Sequence, residues 1–268
     1  MNSIRVLMFG DVVGRIGRRG VVAVLPSLKK KYQPDLIMAN AENLAHGKGV
    51  TRQTLDELRE AGVGFFTSGN HIWAKPEVFE LFQDSTIPLL RPANYPPGVP
   101  GRGAALVPIA GSELLVVNLI GRVFMHQQYD DPFRAIDAIL EEYQGVPRVG
   151  TIIDLHAEAT SEKTTLGLYV DGRVSAVLGT HTHVPTADAE VLPGGTAYIS
   201  DVGMVGAKGT SIGVDKANII KNFLTQLPVA HEIPEYGLCV VNAVCVTIDG
   251  ATGKATSIEH IHEEVEVV

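Results

Sequence analysis

Short apolar runs that end in glycine, asparagine, aspartate or histidine alternate with amphipathic segments of helical period along most of the chain. Runs at 4–9, 35–39, 63–68, 149–155, 175–178 and 197–200 read as buried strands, the first entered almost directly from Met1-Asn2-Ser3. Helices are predicted from the glycine-punctuated stretch after Gly14 to Tyr32, over 51–61, 131–143 and 215–224, from Lys75 onward, and from about Glu158 to Tyr169. In the helix at 131–143, Phe133, Ile136, Ile139 and Leu140 share one face and Pro132 suits the first turn. Thr54 and Glu57 read as a capping box, and Lys29-Lys30-Lys31 as the cationic end of the first helix. Residues 103–109 and 113–119 alternate with period two and predict a hairpin crossing onto a second sheet; the long alternating strands at 237–248 and 257–267 are expected to close that sheet. Residues 203–213 read as a glycine-rich loop.

The chemistry collects where strands stop. Asp11 follows the first strand, Glu42 and Asn43 the second (Asn40-Ala41-Glu42-Asn43), and Asn70 and His71 the third (Ser68-Gly69-Asn70-His71). His156 follows a later strand, and His181 and His183 the next, in Gly179-Thr180-His181-Thr182-His183. Open α/β sheets bind ligands at such carboxyl ends. On extended backbone Asn70 and His71 face opposite halves of a pocket, whereas His181 and His183 point the same way and can reach two metals ~3.5–4 Å apart. Oxygen and imidazole donors without thiolate suit iron, manganese or zinc. Two divalent ions with Asp11, Glu42 and a hydroxide would leave a residual charge of about +1, attractive to an anionic phosphodiester. The glycines at 10, 14 and 17 do not make G-x-G-x-x-G, and G-K-[ST] is absent from the sequence.

Composition narrows the class. With 268 residues, 45% hydrophobic and 19% charged, the chain fits one domain over 1–268, without repeats or a long linker. A net charge of -8 disfavours DNA or long RNA as ligand. Apolar windows such as 238–248 fall short of the ~20 residues that cross a bilayer, and the start lacks a signal-peptide pattern, so a cytoplasmic protein with no membrane contact is expected. Cys239 and Cys245 lie on one face of one strand and are expected in the core, unbonded. His46, His126, His231, His260 and His262 read as surface or packing residues, with His46 and His126 in loops that could border the pocket. Glu158, Ser161 and Lys163 read most simply as a helix start. Trp73 reads as a core or rim residue, with base stacking as the alternative. Residues 92–100 are a candidate apolar contact surface, which would suit a homo-oligomer.

Gly10-Asp11, Gly69-Asn70-His71, His156 and Gly179-Thr180-His181-Thr182-His183, in that order over most of the chain, resemble the calcineurin-like metallophosphoesterase superfamily. Two positions depart from its pattern: the usual D-x-H would put histidine where Val13 stands, and the usual G-D-x-x-D is replaced by Asn40-Ala41-Glu42-Asn43. Those departures, with the run Asp154-Leu155-His156-Ala157-Glu158-Ala159-Thr160-Ser161-Glu162-Lys163, resemble the YmdB-like branch of bacterial cyclic-nucleotide phosphodiesterases. The resemblance implies an α/β fold, a four-layer αββα sandwich of two mixed sheets flanked by helices. It implies a two-metal centre usually considered iron-bearing and hydrolysis of 2′,3′- or 3′,5′-cyclic nucleotides. Carried over by position, Asp11, Glu42, Asn43 and His183 would hold one metal and Glu42, Asn70, His156 and His181 the other, with Glu42 shared. A metal-bridging hydroxide would attack phosphorus while His71 protonates the departing ribose oxygen. Because Val13 cannot ligate, the first site leans on Asn43. A phosphomonoesterase or nucleotidase using the same metals, and a nucleotide- or RNA-binding regulatory protein with little turnover, stay open at this point.

Overall fold

Residues 3–268 are described by the structure, a computed structural model; Met1 and Asn2 lie outside them. In chain order the elements are β1 (Ser3–Val12), α1 (Gly14–Tyr32), β2 (Leu36–Asn40), α2 (Arg52–Ala61), β3 (Phe65–Thr67), α3 (Val78–Gln83), β4 (Ala104–Ile109), β5 (Ser112–Ile120) and α4 (Pro132–Glu142). They continue with β6 (Thr151–His156), α5 (Thr160–Tyr169), β7 (Ala176–Thr180), β8 (Glu190–Val191), β9 (Ala197–Ile199), β10 (Met204–Ala207), α6 (Lys216–Thr225), β11 (Gly237–Asp249) and β12 (Ala255–Val267).

Period-two alternation builds the layers. In β1, Leu7 and Phe9 face α1 and α2 with Ile16, Leu25, Leu28, Leu55 and Leu58, while Val6 and Met8 face the other sheet. That inter-sheet layer takes Met38, Leu114, Val116, Ile152, Leu178, Val244 and Val246. A third layer joins Leu115, Val117, Ile153 and Leu155 to Ile136 of α4 and Leu166 of α5. The result is the expected four-layer αββα sandwich. One sheet runs β12-β11-β10-β1-β2-β3 and the other β4-β5-β6-β7-β9-β8, each mixing parallel and antiparallel pairs. Among the described residues, no helix is long and apolar enough to cross a membrane.

Several expectations are corrected. Strands β11 and β12 join the first sheet, where β11 pairs antiparallel with β1 from Ser3↔Asp249 to Phe9↔Ala243. Alternation reveals which face of a strand is buried but not which sheet edge it adopts. The glycine-rich stretch at 203–213, expected as a loop, contains β10, parallel to β1 through Asp11↔Met204. The capping box of α2 joins Thr51 and Thr54, while Glu57 instead accepts from Arg18 Nε at 2.6 Å. A short 3-10 turn (Ile72–Ala74) precedes α3, so the helix expected from Lys75 starts later. Residues 92–100 carry no large exposed apolar side chain; such groups lie elsewhere, Phe124 and, on α6, Ile220, Phe223 and Leu224 among them.

Other readings hold. Lys29, Lys30 and Lys31 occupy the last turn of α1, and Asp131 caps α4 ahead of Pro132. Cys239 and Cys245 are buried and free, with burial pushing their thiols up to about 12 and about 11, which leaves them protonated and inert. The glycine punctuation after β1 has a packing cause: a Cβ at Gly10 would strike the Gly203 carbonyl and one at Gly17 the Val205 carbonyl.

Leu114 is fully buried between the sheets. Leu114→Ala is expected to lower unfolding stability by ~2–5 kcal/mol, read as a lower urea midpoint at unchanged slope. A midpoint equal to that of the parent chain would contradict the packed inter-sheet layer.

Candidate metal centre

Both sheets turn the carboxyl ends of their parallel strands towards one seam, and the strand-end residues meet there. Asp11 is wholly buried at the end of β1, beside a register shift in the β1–β2 pairing. Its Oδ2 accepts the His181 backbone N–H at 3.0 Å, while its Oδ1 is a buried side-chain atom without a hydrogen-bond partner among the described residues. Burial raises the Asp11 carboxyl, and the neighbouring His183 and His156 oppose that shift. Glu42, in the turn after β2, accepts the His71 backbone N–H on Oε2 at 2.9 Å and points Oε1 at His156 Nε2, 3.2 Å away. Gly69 makes this approach feasible, because a Cβ there would collide with the His156 ring and the Glu42 carboxylate.

Each histidine of the set has its second ring nitrogen occupied. Thr180 Oγ1 donates to Asp154 Oδ1 at 2.7 Å and therefore accepts from His156 Nδ1 at 2.9 Å, leaving His156 Nε2 with a bare lone pair. That lone pair faces Asn70 Oδ1 at 3.0 Å, His181 Nδ1 at 3.0 Å and Glu42. His181 Nε2 lies 3.1 Å from Glu158 Oε2 and its Nδ1 faces His156 Nε2. His183 Nδ1 donates to the Ile212 carbonyl at 2.9 Å, turning Nε2 towards Asp11 Oδ1 at 3.8 Å and Asn43 Nδ2 at 3.3 Å. Burial pushes His156 down to about 4 and His181 down to about 3, keeping both rings neutral. Asp154 anchors the back of the network: Thr67, Thr180 and Asn40 all donate to it, against a burial effect that pushes its carboxyl up to about 7.

This donor set fits a cation. Ligand atoms at right angles around an ion at ~2.1 Å stand ~3 Å apart, matching the 3.0–3.2 Å between His156 Nε2 and its neighbours on Asn70, His181 and Glu42. Glu42, His156 and His181 offer atoms all within 4.8 Å of one another. Mutually facing lone pairs and an unpartnered buried carboxylate oxygen are unfavourable together unless positive charge joins them. Asp11, Asn43 and His183 form a looser group on the other side of Glu42, with Asn43 Nδ2 3.4 Å from Glu42 Oε1.

All eight strand-end residues thus come together, though not always by the expected backbone. Asn70 and His71 sit side by side on a turn, with Asn70 Nδ2 3.4 Å from His71 Nδ1, rather than facing apart. His181 and His183 are not extended: both have left-handed φ, 99° and 66°, and their rings diverge to the two donor groups. His71 lines the adjoining cleft, where burial lowers its pKa and Glu42 opposes the shift.

That cleft, of about 520 Å³, is lined by polar residues (Glu42, Asn43, Lys48, His71, Glu158, His181, His183) and by apolar ones (Val13, Ile212, Val214, Ile219, Phe223, Ile233). His231 borders it while His46 and His126 do not. Trp73 stacks on Phe79 at 5.3 Å and packs against Phe82 and Tyr95, away from the cleft lining. Glu158, expected only to start a helix, contacts His181. Lys163, expected in the same role, is buried against Asp201. Their adjacency to the histidine motif was the available signal, but their partners are remote in sequence.

A family model described as YmdB-like protein matches residues 7–261. A Bacillus subtilis (strain 168) protein named 2′,3′-cyclic-nucleotide 2′-phosphodiesterase is 49% identical over 259 residues, covering 96% of each chain. A crystal structure of a hypothetical protein from Thermus thermophilus aligns with TM-score 0.90 at 44% identity, over 97% of this chain and 99% of that one. A crystal structure described as a novel phosphatase from Mycoplasma pneumoniae aligns with TM-score 0.92 at 34% identity, over 100% of this chain and 95% of that one. With the strand-end donors, Val13 and Glu42 in place and the match running nearly end to end, the chain belongs to the YmdB-like family.

Proposed function

We propose that this chain is a dinuclear-metal phosphodiesterase that hydrolyses cyclic nucleotides of the 2′,3′-cyclic AMP class, with 3′,5′-cyclic nucleotides as further candidates. The observation that carries the reading is the crowding of His156 Nε2 against Asn70 Oδ1, His181 Nδ1 and Glu42, with His183 Nε2 beside the unpartnered oxygen of Asp11. Asp11, Glu42, Asn43 and His183 would hold one ion and Glu42, Asn70, His156 and His181 the other, with iron the first candidate and manganese or zinc suited by the same donors. When bound, such ions supply Lewis acidity towards phosphoryl oxygens and lower the pKa of water. Donors come from the strand ends of both sheets, which supports one domain over 1–268 as the functional unit.

The chain's own residues account for the remaining steps. His71 is fixed through its backbone N–H to Glu42 and faces the cleft, in place to give a proton to the departing ribose oxygen. Lys48 lines the same cleft and offers charge to the ester. Asn43 and Asn70, being neutral, leave the site more positive than carboxylates would. The apolar wall suits a nucleoside base: Phe223 is 74% exposed on α6, a helix with no buried residue, and opens onto the cleft. The nucleotide reading also draws on the Bacillus relative's named substrate.

Protein purified without added metal is expected to carry two equivalents by elemental analysis and to lose turnover of 2′,3′-cyclic AMP on chelation. His71→Ala should lower kcat roughly 10²–10⁴-fold at unchanged metal content. Metal loss in step with rate would instead make His71 a ligand. Phe223→Ala should raise KM for 2′,3′-cyclic AMP by roughly 5- to 150-fold, the worth of one base–aromatic stack. It should leave glycerol 1,2-cyclic phosphate, which has no base, unaffected; equal effects on both substrates would remove the base from this wall.

A further inference from the structure

The two histidines of the His181-Thr182-His183 reversal serve different donor groups only because the backbone between them is contorted. Both take left-handed φ, a conformation that non-glycine residues adopt rarely and hold only when their surroundings fix it. Relaxed to extended backbone, residues two apart would point the same way and both rings would address one group. His181 N–H is held by Asp11 Oδ2 and the His183 carbonyl by Met204 N–H, each at 3.0 Å, and the residue between them, Thr182, is held twice. Its N–H and its Oγ–H both donate to Asp201 Oδ2, at 3.0 and 2.8 Å, while Asp201 Oδ1 accepts from Gly203 N–H at 2.8 Å.

Asp201 is 1% exposed, and its counter-charge is Lys163 Nζ at 2.7 Å, 2% exposed on the first turns of α5. Neither residue lines the cleft. A buried ion pair is weak as a stability device, since apolar replacements of the same volume often do as well. A geometric role explains it better.

We infer that the Lys163–Asp201 pair is a positioning device: it holds Thr182 so that His181 and His183 diverge to the two metal groups. Asp201 supplies the acceptor that bends the reversal, and Lys163 holds that acceptor in place from 2.7 Å away. The inference rests on the two-metal reading above.

The test uses Thr182→Val, Thr182→Ser, Asp201→Asn and the charge-free double variant Lys163→Met/Asp201→Asn. Thermal melting reports folding, elemental analysis reports metal per chain, and stopped-flow with a coloured chelator reports release. Thr182→Val, which leaves the buried pair intact, should fold like the parent yet release metal at least tenfold faster, and Thr182→Ser should restore the parent rate. Asp201→Asn and the double variant should retain fewer than two equivalents even where their melting matches the parent. Folded Thr182→Val with parental stoichiometry and release rate would overturn the inference whether or not the pair variants fold. A parent chain that binds no metal would overturn the two-metal reading and the inference with it.

Discussion

Desolvation at the seam between the sheets is the constraint on which the rest of the structure depends. Five ionisable groups, Asp11, Glu42, His156, His181 and His183, are crowded there in a region nearly closed to water. Burial disfavours charge on three of them, lifting Asp11 and lowering His156 and His181. For imidazole the effect is useful, because only the neutral ring offers a lone pair. For the carboxylates it is costly, and backbone amides offset part of the cost: His181 N–H to Asp11 and His71 N–H to Glu42. The unpartnered Asp11 Oδ1 marks the remainder, at the point where a cation would be stabilised most.

The apolar layers set this geometry from a distance. Asp11, Glu42 and Asn70 hang from the first sheet, and His156, His181 and His183 from the second, so the separation between donors is inherited from inter-sheet packing around Val6, Met8, Leu114, Val116, Ile152 and Leu178. Close-packed interiors deform little, which suits a centre whose donors must meet within a few tenths of an ångström. The polar layer behind it acts likewise. Asp154, Asn40, Thr67 and Thr180 come from four strands across both sheets and lock one another, so the His156 ring has one orientation and one tautomer.

Much of this could be read from residue order alone, because strand-end polarity is a local signal. The apolar runs marked β1, β2, β3, β6 and β7, and the polar residues that stop each run are those that meet at the seam. What escaped was non-local. Strand β10 is short, contains Gly206 and reads as loop, yet pairs with β1 because Gly10 and Gly17 let it lie close. The place of β11 and β12 followed from a sheet edge that alternation cannot identify. Glu158 and Lys163 look like helix-start residues since their partners, His181 and Asp201, lie 23 and 38 residues on. The His181–His183 reversal is illegible for a different reason: the contacts that hold its left-handed backbone, from Asp11, Asp201 and Met204, come from elsewhere in the chain, not from any preference of histidine or threonine.

Val13 explains the inequality between the two donor groups. Where the wider superfamily pattern has a histidine, this chain has a buried aliphatic side chain packed near Gly206 and Gly213, so one imidazole is lost from the Asp11 side. His183 Nε2 stands 3.8 Å from Asp11 Oδ1 there, against 3.0–3.2 Å around His156, and Asn43 presents its Nδ2 to His183 and to Glu42. An amide oxygen is a weaker donor than an imidazole nitrogen and brings no charge, so an ion held by Asp11, Asn43, His183 and Glu42 would be bound less tightly and would stay more electrophilic than its neighbour. The Glu42 carboxylate, set between the two groups, is the residue through which that difference would be shared. Val13 lines the same cleft as Ile212, Ile219 and Phe223, so the position that leaves one donor group without an imidazole also adds apolar surface to that cleft.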